Sequence, residues 1–249
     1  VAVCGHTWDR AAAFIAKQGL AAAHPYGDVA AMLEAARLDA LYLCIPPAAH
    51  AGEVELAAAR GLHLFLEKPI AISAERAETM VAAIERAGVK SQVGFHLRFR
   101  RSVRRLRQML ADGTAGRPTL FSGRYWTNMD GSPWWRDRAQ SGGQAFEQAI
   151  HLYDVALHLF GPVQAATGMA DNLCHRHQAD YTIEDTSIGM FRHGNGALGV
   201  VTASNCAVPM HFFGDFRAVC ANAVLDYRST GQAWVEPDRA VLQTGRTAR

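Results

Sequence analysis

The chain has 249 residues, 49% of them hydrophobic and 19% charged, which is enough apolar material for one large domain or two smaller ones and excludes disordered or fibrous classes. A formal net charge of +2 gives no reason to expect nucleic acid or an anionic membrane as partner, which leaves small molecules. The five cysteines, Cys4, Cys44, Cys174, Cys206 and Cys220, are scattered and show neither zinc-site nor disulfide-framework spacing; they read as reduced, mostly buried thiols.

No early stretch has the form of a secretory signal, since Arg10 and Lys17 interrupt the first alanine-rich run. The longest uncharged stretch, Gly194 to Gly214, carries Asn195, Thr202, Ser204, Asn205, Pro209 and His211 and is too polar for a bilayer span. A soluble, cytoplasmic protein is expected.

In chain order, the first hundred residues alternate short β-type runs with alanine-rich helical segments, the rhythm of a parallel sheet covered by helices. Strands are expected at Val1 to Cys4, Leu41 to Ile45, Leu62 to Leu66 and Ser91 to Phe95. Helices are expected at Asp9 to Gln18, Asp28 to Ala36, His50 to Arg60 and Ala74 to Ala87. No Gly-x-Gly-x-x-Gly stands ahead of a helix, so a strand, glycine turn and helix of roughly 30 residues are expected to be missing from the front. Val1 to Cys4 is then the second strand of the sheet. From about Arg117 longer β-type stretches follow, Thr119 to Thr127 and Thr186 to Arg192, with one strongly apolar helix between them. Gly194 to Ser204 and Phe212 to Tyr227 add alternation and turns suited to an antiparallel sheet. The fold class is thus α/β: a partial Rossmann-type domain over 1–97, then an α+β domain with a largely antiparallel sheet over 98–249.

Ligands of an open parallel sheet bind outside the carboxyl ends of its strands. Those ends carry Pro46-Pro47 with His50, Glu67-Lys68-Pro69, and His96-Leu97-Arg98. Lys68, held there beside a cationic nicotinamide, would have its ammonium form disfavoured and could trade protons near neutral pH; alternatively it is a solvated turn residue.

A single helix from Gln144 to Phe160, opened by Ser141-Gly142-Gly143-Gln144 as a capping box, forms the second constellation. Gln144, Glu147, His151, Asp154 and His158 fall within an arc of roughly 80° on it. That stripe faces either a cleft, with His151 exchanging a proton with a substrate hydroxyl, or bulk water. Gly142 and Gly143 would permit close approach by a ligand. No paired ligand motif accompanies His151, so no metal is expected.

Arg98, Arg100, Arg101, Arg104, Arg105 and Arg107 resemble a nucleic-acid patch but read as the solvated face of a helix. Trp134-Trp135-Arg136 offers a flat ring for a sugar or nicotinamide and a cation, or else anchors a loop in the core. His175 and His177 read as a surface loop, with weak metal binding as the alternative.

Together, Pro46-Pro47 with His50, Glu67-Lys68-Pro69, Gly94-Phe95-His96-Leu97-Arg98-Phe99, and Gly142-Gly143 followed by Glu147-Gln148, His151 and Asp154 resemble the Gfo/Idh/MocA family over nearly the whole chain. The resemblance implies a Rossmann domain, an α+β domain, a cleft between them, and oxidation of sugars, inositols or related polyols with NAD or NADP. It implies Lys68 and His151 as catalytic residues, and Arg98, Glu147, Asp154 and Trp135 in substrate binding. His6, Pro46, His50, Glu67, Lys68, Arg98 and Arg136 would meet the cofactor. Glu147 stands where aspartate is common, and Gly5-His6-Thr7 offers no acidic residue for a ribose diol, so NADP is as open as NAD. Transient oxidation supporting sugar hydrolysis or elimination, and a non-catalytic dinucleotide sensor, are the alternative functions. A homo-oligomer through the second-domain sheet is also implied.

Overall fold

The computed structural model describes residues 1–128, 131–207, 212–228 and 239–244, and the chain divides into two compact units, Val1–Gly94 and Phe95–Arg249. The segment 128–138, which contains Trp134-Trp135-Arg136, and the polar stretch 194–214 each lie partly outside the described residues.

The first unit runs β1 (Ala2–Cys4), α1 (Trp8–Gln18), β2 (His24–Tyr26), α2 (Val29–Ala35), β3 (Ala40–Leu43), α3 (Glu53–Ala59), β4 (His63–Leu66), α4 (Ala74–Ala87) and β5 (Ser91–Val93). Every pairing is parallel, as the alternation of strand and helix requires, but the strands form two sheets, β1-β2 and β3-β4-β5, where one continuous sheet was expected. Helix starts follow from capping: the side chains of Thr7, Asp28 and Ser73 accept hydrogen bonds from the amides of Arg10, Ala31 and Arg76. The helix expected from His50 starts only at Glu53, because the prolines at 46 and 47 set up a short 3-10 turn over Pro47–Ala49 first.

Leu41, Leu43, Leu64 and Leu66 point from β3 and β4 onto Val54, Ala57, Met80 and Ile84 of α3 and α4 to make this unit's core. Their alternates Tyr42 and Phe65 stack at 4.5 Å on the other face, where Tyr42 is 56% exposed. The strand β2 had no sequence signal: it is three residues long, contains Pro25, and pairs on one side only.

The second unit opens with a 3-10 turn (His96–Phe99) and α5 (Arg101–Ala111), followed by β6 (Pro118–Trp126). Short helices α6 (Pro133–Arg136), α7 (Arg138–Ser141) and α8 (Gln144–Glu147) lead into α9 (Ile150–Phe160). Strands β7 (Val163–Asp171), β8 (Thr186–His193), β9 (Leu198–Ser204), β10 (Phe213–Cys220), β11 (Ala223–Arg228) and β12 (Arg239–Thr244) complete it. The sheet order is β12-β11-β10-β6-β9-β8-β7, antiparallel except for β6 beside β9.

Residues alternate between buried and accessible along β8, β9, β10 and β11, the period-2 pattern of a sheet with one covered face. On that face Phe121, Phe216 and Tyr227 stack in a row, and Val155, Leu152 and Phe160 of α9 with Val103 and Leu106 of α5 close over them. The arginines of α5 point outward as expected, while Val103, Leu106 and Met109 are buried. Strand β7 was not legible because Val-Gln-Ala-Ala-Thr-Gly-Met-Ala-Asp carries few β-formers and all nine residues are exposed. Among the described residues no helix is long and apolar enough to cross a membrane.

Helix α9 rests directly on β6 at Gly123, where a side-chain carbon would come within 3.2 Å of Leu152 Cδ1. Leu152, 1% exposed, fills that contact. Leu152→Ala is expected to cost about 2–5 kcal/mol of second-unit stability in a denaturant titration; a loss below about 1 kcal/mol would show that α9 is not seated there.

Candidate active site

In the first unit Leu43, Leu66 and Val93 lie side by side as the last rung of β3, β4 and β5, so Cys44, Glu67 and Gly94 leave the sheet together. The amide of Glu67 donates to the Leu43 carbonyl and that of Gly94 to the Leu66 carbonyl, both at 2.9 Å. Lys68 follows at this edge, half-buried, with a cis peptide to Pro69. The Glu67 carboxylate is engaged within the protein: it accepts the Tyr42 hydroxyl at 2.8 Å, a bond that holds the Tyr42 pKa well above its ordinary value.

His50 departs from expectation. Only 3% of its side chain is exposed, Nδ1 lies 3.8 Å from Glu53 Oε2, and burial pulls its pKa down. The ring is enclosed beside the start of α3. Pro46 leads into the 3-10 turn, and His6 is exposed in the turn after β1, next to Thr7, which caps α1. A cavity of about 390 Å³ lined by Leu33, Arg37, Asp39 and Leu62 lies at the amino ends of β3 and β4, opposite this edge, and contains none of the candidate residues.

In the second unit the stripe expected on one helix is divided between two. Gln144 and Glu147 belong to α8, and His151, Asp154 and His158 to α9, with the break at Gln148 and Ala149. The Ser141 hydroxyl does not cap at the third position of a helix; it accepts from the Gly143 amide. The free amide at the start of α8 is satisfied by Glu184, whose carboxylate accepts from Ala145 at 2.8 Å and from Arg138 at 2.6 Å. The same carboxylate presses on Gly143, which has φ +112, so a side chain there would collide with it. The glycine pair therefore accommodates the protein's own Glu184, where a ligand was expected.

The stripe does not face bulk water: Gln144 is fully buried and Asp154 is 5% exposed. His151 sits in the first turn of α9, its ring 4.5 Å from that of His96 and edge-on to Phe95 at 6.2 Å. His96, to which sequence reasoning assigned no role, follows the β5 segment; its signals were that position and its place in the Gly94 to Phe99 motif. One turn beyond His151, Asp154 receives Arg98 through Nε, at 2.8 Å to Oδ2, and through Nη2 to Oδ1. Both residues were expected to touch substrate, and Arg98 the cofactor as well. The two are paired with one another, and the pair ties the 3-10 turn that carries His96 to α9, which carries His151.

Trp135, expected at the substrate, is 4% exposed in a small core with Tyr181 and Ile183. Its indole Nε1 donates to Glu147 Oε2 at 2.9 Å, so it orients Glu147 and presents no face to a sugar. Arg136, expected at the cofactor, pairs with Asp180 at 2.7 Å. Arg98→Ala would leave the Asp154 carboxylate buried and uncompensated, an expected loss of about 3 kcal/mol in thermal or denaturant unfolding; a loss within about 0.5 kcal/mol would show the pair to be incidental.

The residues present fit a nicotinamide dinucleotide in part. The edge after β3, β4 and β5 has the position that such folds use, whereas the sole Gly-x-Gly-x-x-Gly of the sequence, Gly194 to Gly199, forms the hairpin between β8 and β9, where it has no helix N-terminus to hold a pyrophosphate.

Comparison with known proteins agrees with this organisation. Residues 1–95 match the oxidoreductase family with an NAD-binding Rossmann fold, and residues 103–225 match the GFO/IDH/MocA C-terminal domain. The uncharacterized oxidoreductase YrbE of Bacillus subtilis is 31% identical over 173 residues, 69% of this chain and 50% of that protein. The scyllo-inositol 2-dehydrogenase (NAD(+)) of the same organism is 29% identical over 188 residues, 75% and 54% of the two chains. The chain thus spans about half the length of the curated relatives it matches. Among solved structures, the WlbA dehydrogenase of Bordetella pertussis, in complex with NADH and UDP-GlcNAcA, superposes with a TM-score of 0.83 at 23% identity, covering 96% of this chain and 68% of that one, and so shares its fold. With both of its units matched in order, the chain belongs to the Gfo/Idh/MocA family of oxidoreductases.

Proposed function

We propose that this chain is part of an NAD(P)-dependent oxidoreductase that moves hydride between the nicotinamide and a hydroxyl-bearing carbon of a sugar, inositol or related polyol. The observation that carries the reading is the support built around His151. A buried ion pair one turn along α9 and a neighbouring imidazole fix its ring, which is the preorganisation that proton exchange at a hydroxyl needs. Lys68, at the carboxyl edge of the parallel strands, is the second proton-handling group of the proposal.

The nicotinamide, when bound, would supply the hydride acceptor or donor. Lys68 or His151 removes the hydroxyl proton while the other positions the oxygen, and Glu147, held by Trp135, accepts a hydrogen bond from a neighbouring hydroxyl of the polyol. Arg98 and Asp154 act through position alone. The turn Gly5-His6-Thr7 carries no carboxylate against a 2′-phosphate, while the relative named for NAD(+) favours the unphosphorylated cofactor. In the intact protein, Lys68→Ala and His151→Ala are each expected to lower turnover on a responsive polyol by about a hundredfold or more with the fold retained. Near-normal turnover in either variant removes that residue from the mechanism, and failure of every polyol and sugar to change the nicotinamide absorbance removes the activity.

The open face of the seven-stranded sheet supports self-association. Met169, Ile188, Met190 and Leu198 are exposed there at 81%, 46%, 51% and 46%, on neighbouring strands. Light scattering of the intact protein is expected to report an oligomer that the Ile188→Glu, Met190→Glu double variant dissociates; a monomeric parent protein would refute the interface.

A further inference from the structure

Strands β7, β8 and β9 are aligned so that Asp171, Thr186 and Ser204 form one rung at the end of the sheet. The chain beyond that rung therefore gathers residues remote in sequence: Cys174 and His175 after β7, Asp185 immediately before β8, and Cys206 two residues after β9. The Cys174 sulfur, an Asp185 carboxylate oxygen and the Cys206 sulfur all lie within 4.8 Å of one another. His175 Nδ1 lies beside this triad, 3.0 Å from Asp185 Oδ2 and 4.0 Å from Cys206 Sγ. A tetrahedral zinc ion, at about 2.3 Å from sulfur and about 2.0 Å from nitrogen and oxygen, needs donor-to-donor separations of roughly 3.2–3.8 Å. The two His175 separations lie on either side of that range, and the other three donors fall within 4.8 Å of one another.

We infer that Cys174, His175, Asp185 and Cys206 form a structural zinc site. Two thiolates with one imidazole and one carboxylate are a donor set that selects zinc over calcium or magnesium, which prefer all-oxygen cages. The groups are also held from behind, as metal ligands characteristically are. The His175 ring is stacked on Tyr181 at 4.3 Å with a 9° tilt, and the Tyr181 hydroxyl accepts from Asn205 Nδ2 at 3.0 Å. The Asp185 carboxylate, fully buried, receives the amides of Leu173 at 2.9 Å, Cys174 at 2.7 Å and His175 at 3.1 Å, and the Thr186 hydroxyl at 3.1 Å. Cys174 is exposed, which leaves an entry route. On binding, both thiols lose their protons to solvent, and a neutral imidazole gives up the Nδ1 proton that faces Asp185 and takes one on Nε2, so two protons leave for each zinc ion taken up.

The test uses the intact protein, reduced and freed of metal by a chelator, titrated with cobalt(II) as the spectroscopic stand-in and then with zinc(II). The expected result is one equivalent of cobalt, with thiolate charge-transfer absorption and the visible bands of tetrahedral cobalt, displaced by one equivalent of zinc with release of two protons. Cys174→Ser, at an exposed position, is expected to fold normally by circular dichroism and to bind at least about tenfold more weakly, and Cys206→Ser likewise. The inference is overturned if the reduced protein takes up no metal, if the thiolate band persists unchanged in Cys174→Ser, or if only an octahedral, thiolate-free cobalt spectrum appears. A Cys174 to Cys206 disulfide in protein that binds no metal after reduction also overturns it.

Discussion

Burial of α9 against the covered face of the seven-stranded sheet is the constraint on which the second unit depends. Leu152, Val155, Ala156, Leu159 and Phe160 turn one side of the helix into the core. The helix then has a single remaining side, and on it stand His151, Asp154 and His158. A polar group on a helix packed this tightly cannot drift with a mobile backbone, because any rotation that moved His151 would drag apolar side chains off Phe121 and its stacked neighbours. Rigidity of the imidazole is a by-product of hydrophobic packing.

The ion pair between Arg98 and Asp154 extends that rigidity to the segment entering the unit. Asp154 is enclosed, so its charge is tolerable only with a guanidinium beside it, and Arg98 can reach it only if the 3-10 turn His96–Phe99 lies against α9. The turn in turn carries His96 onto His151. Electrostatics here selects one docking of two elements, and the aromatic contacts follow from the choice. Glu147 is placed by separate means, through the buried indole of Trp135.

Much of this organisation could be read from residue order alone, and the parts that could not have identifiable reasons. Helix α4 runs over the residues expected from its apolar spacing, and the strands carrying Leu41, Leu64 and Thr186 lie where β-branched and aromatic density placed them. The helix expected to be continuous from Gln144 breaks at 148–149, which no proline or glycine announces. The Gly142-Gly143 pair was read as room for a ligand, because the Glu184 carboxylate that fills the space is 41 positions away and invisible to local pattern. Trp135, Arg98 and Asp154 carried the right chemical types for a binding site. Only three-dimensional pairing showed that the Arg98 guanidinium meets Asp154 and the Trp135 indole meets Glu147. The cysteines looked isolated for the same reason: strand register, not spacing, brings Cys174 near Cys206.

The carboxylate of Asp185 has a consequence for how this fold can be altered. Three successive amides, those of Leu173, Cys174 and His175, converge on it, so the path from β7 to β8 must return to one point regardless of what its outer residues do. Nearby, Thr182 and Glu184 fasten the same connection to the backbone and side chain of Arg138. Lengthening the connection at its exposed tip leaves these anchors in place, whereas a graft that replaces 173–175 without Asp185, or Asp185 without 173–175, would separate the amides from their native acceptor. Loop exchange among relatives should therefore move 171–186 as one cassette.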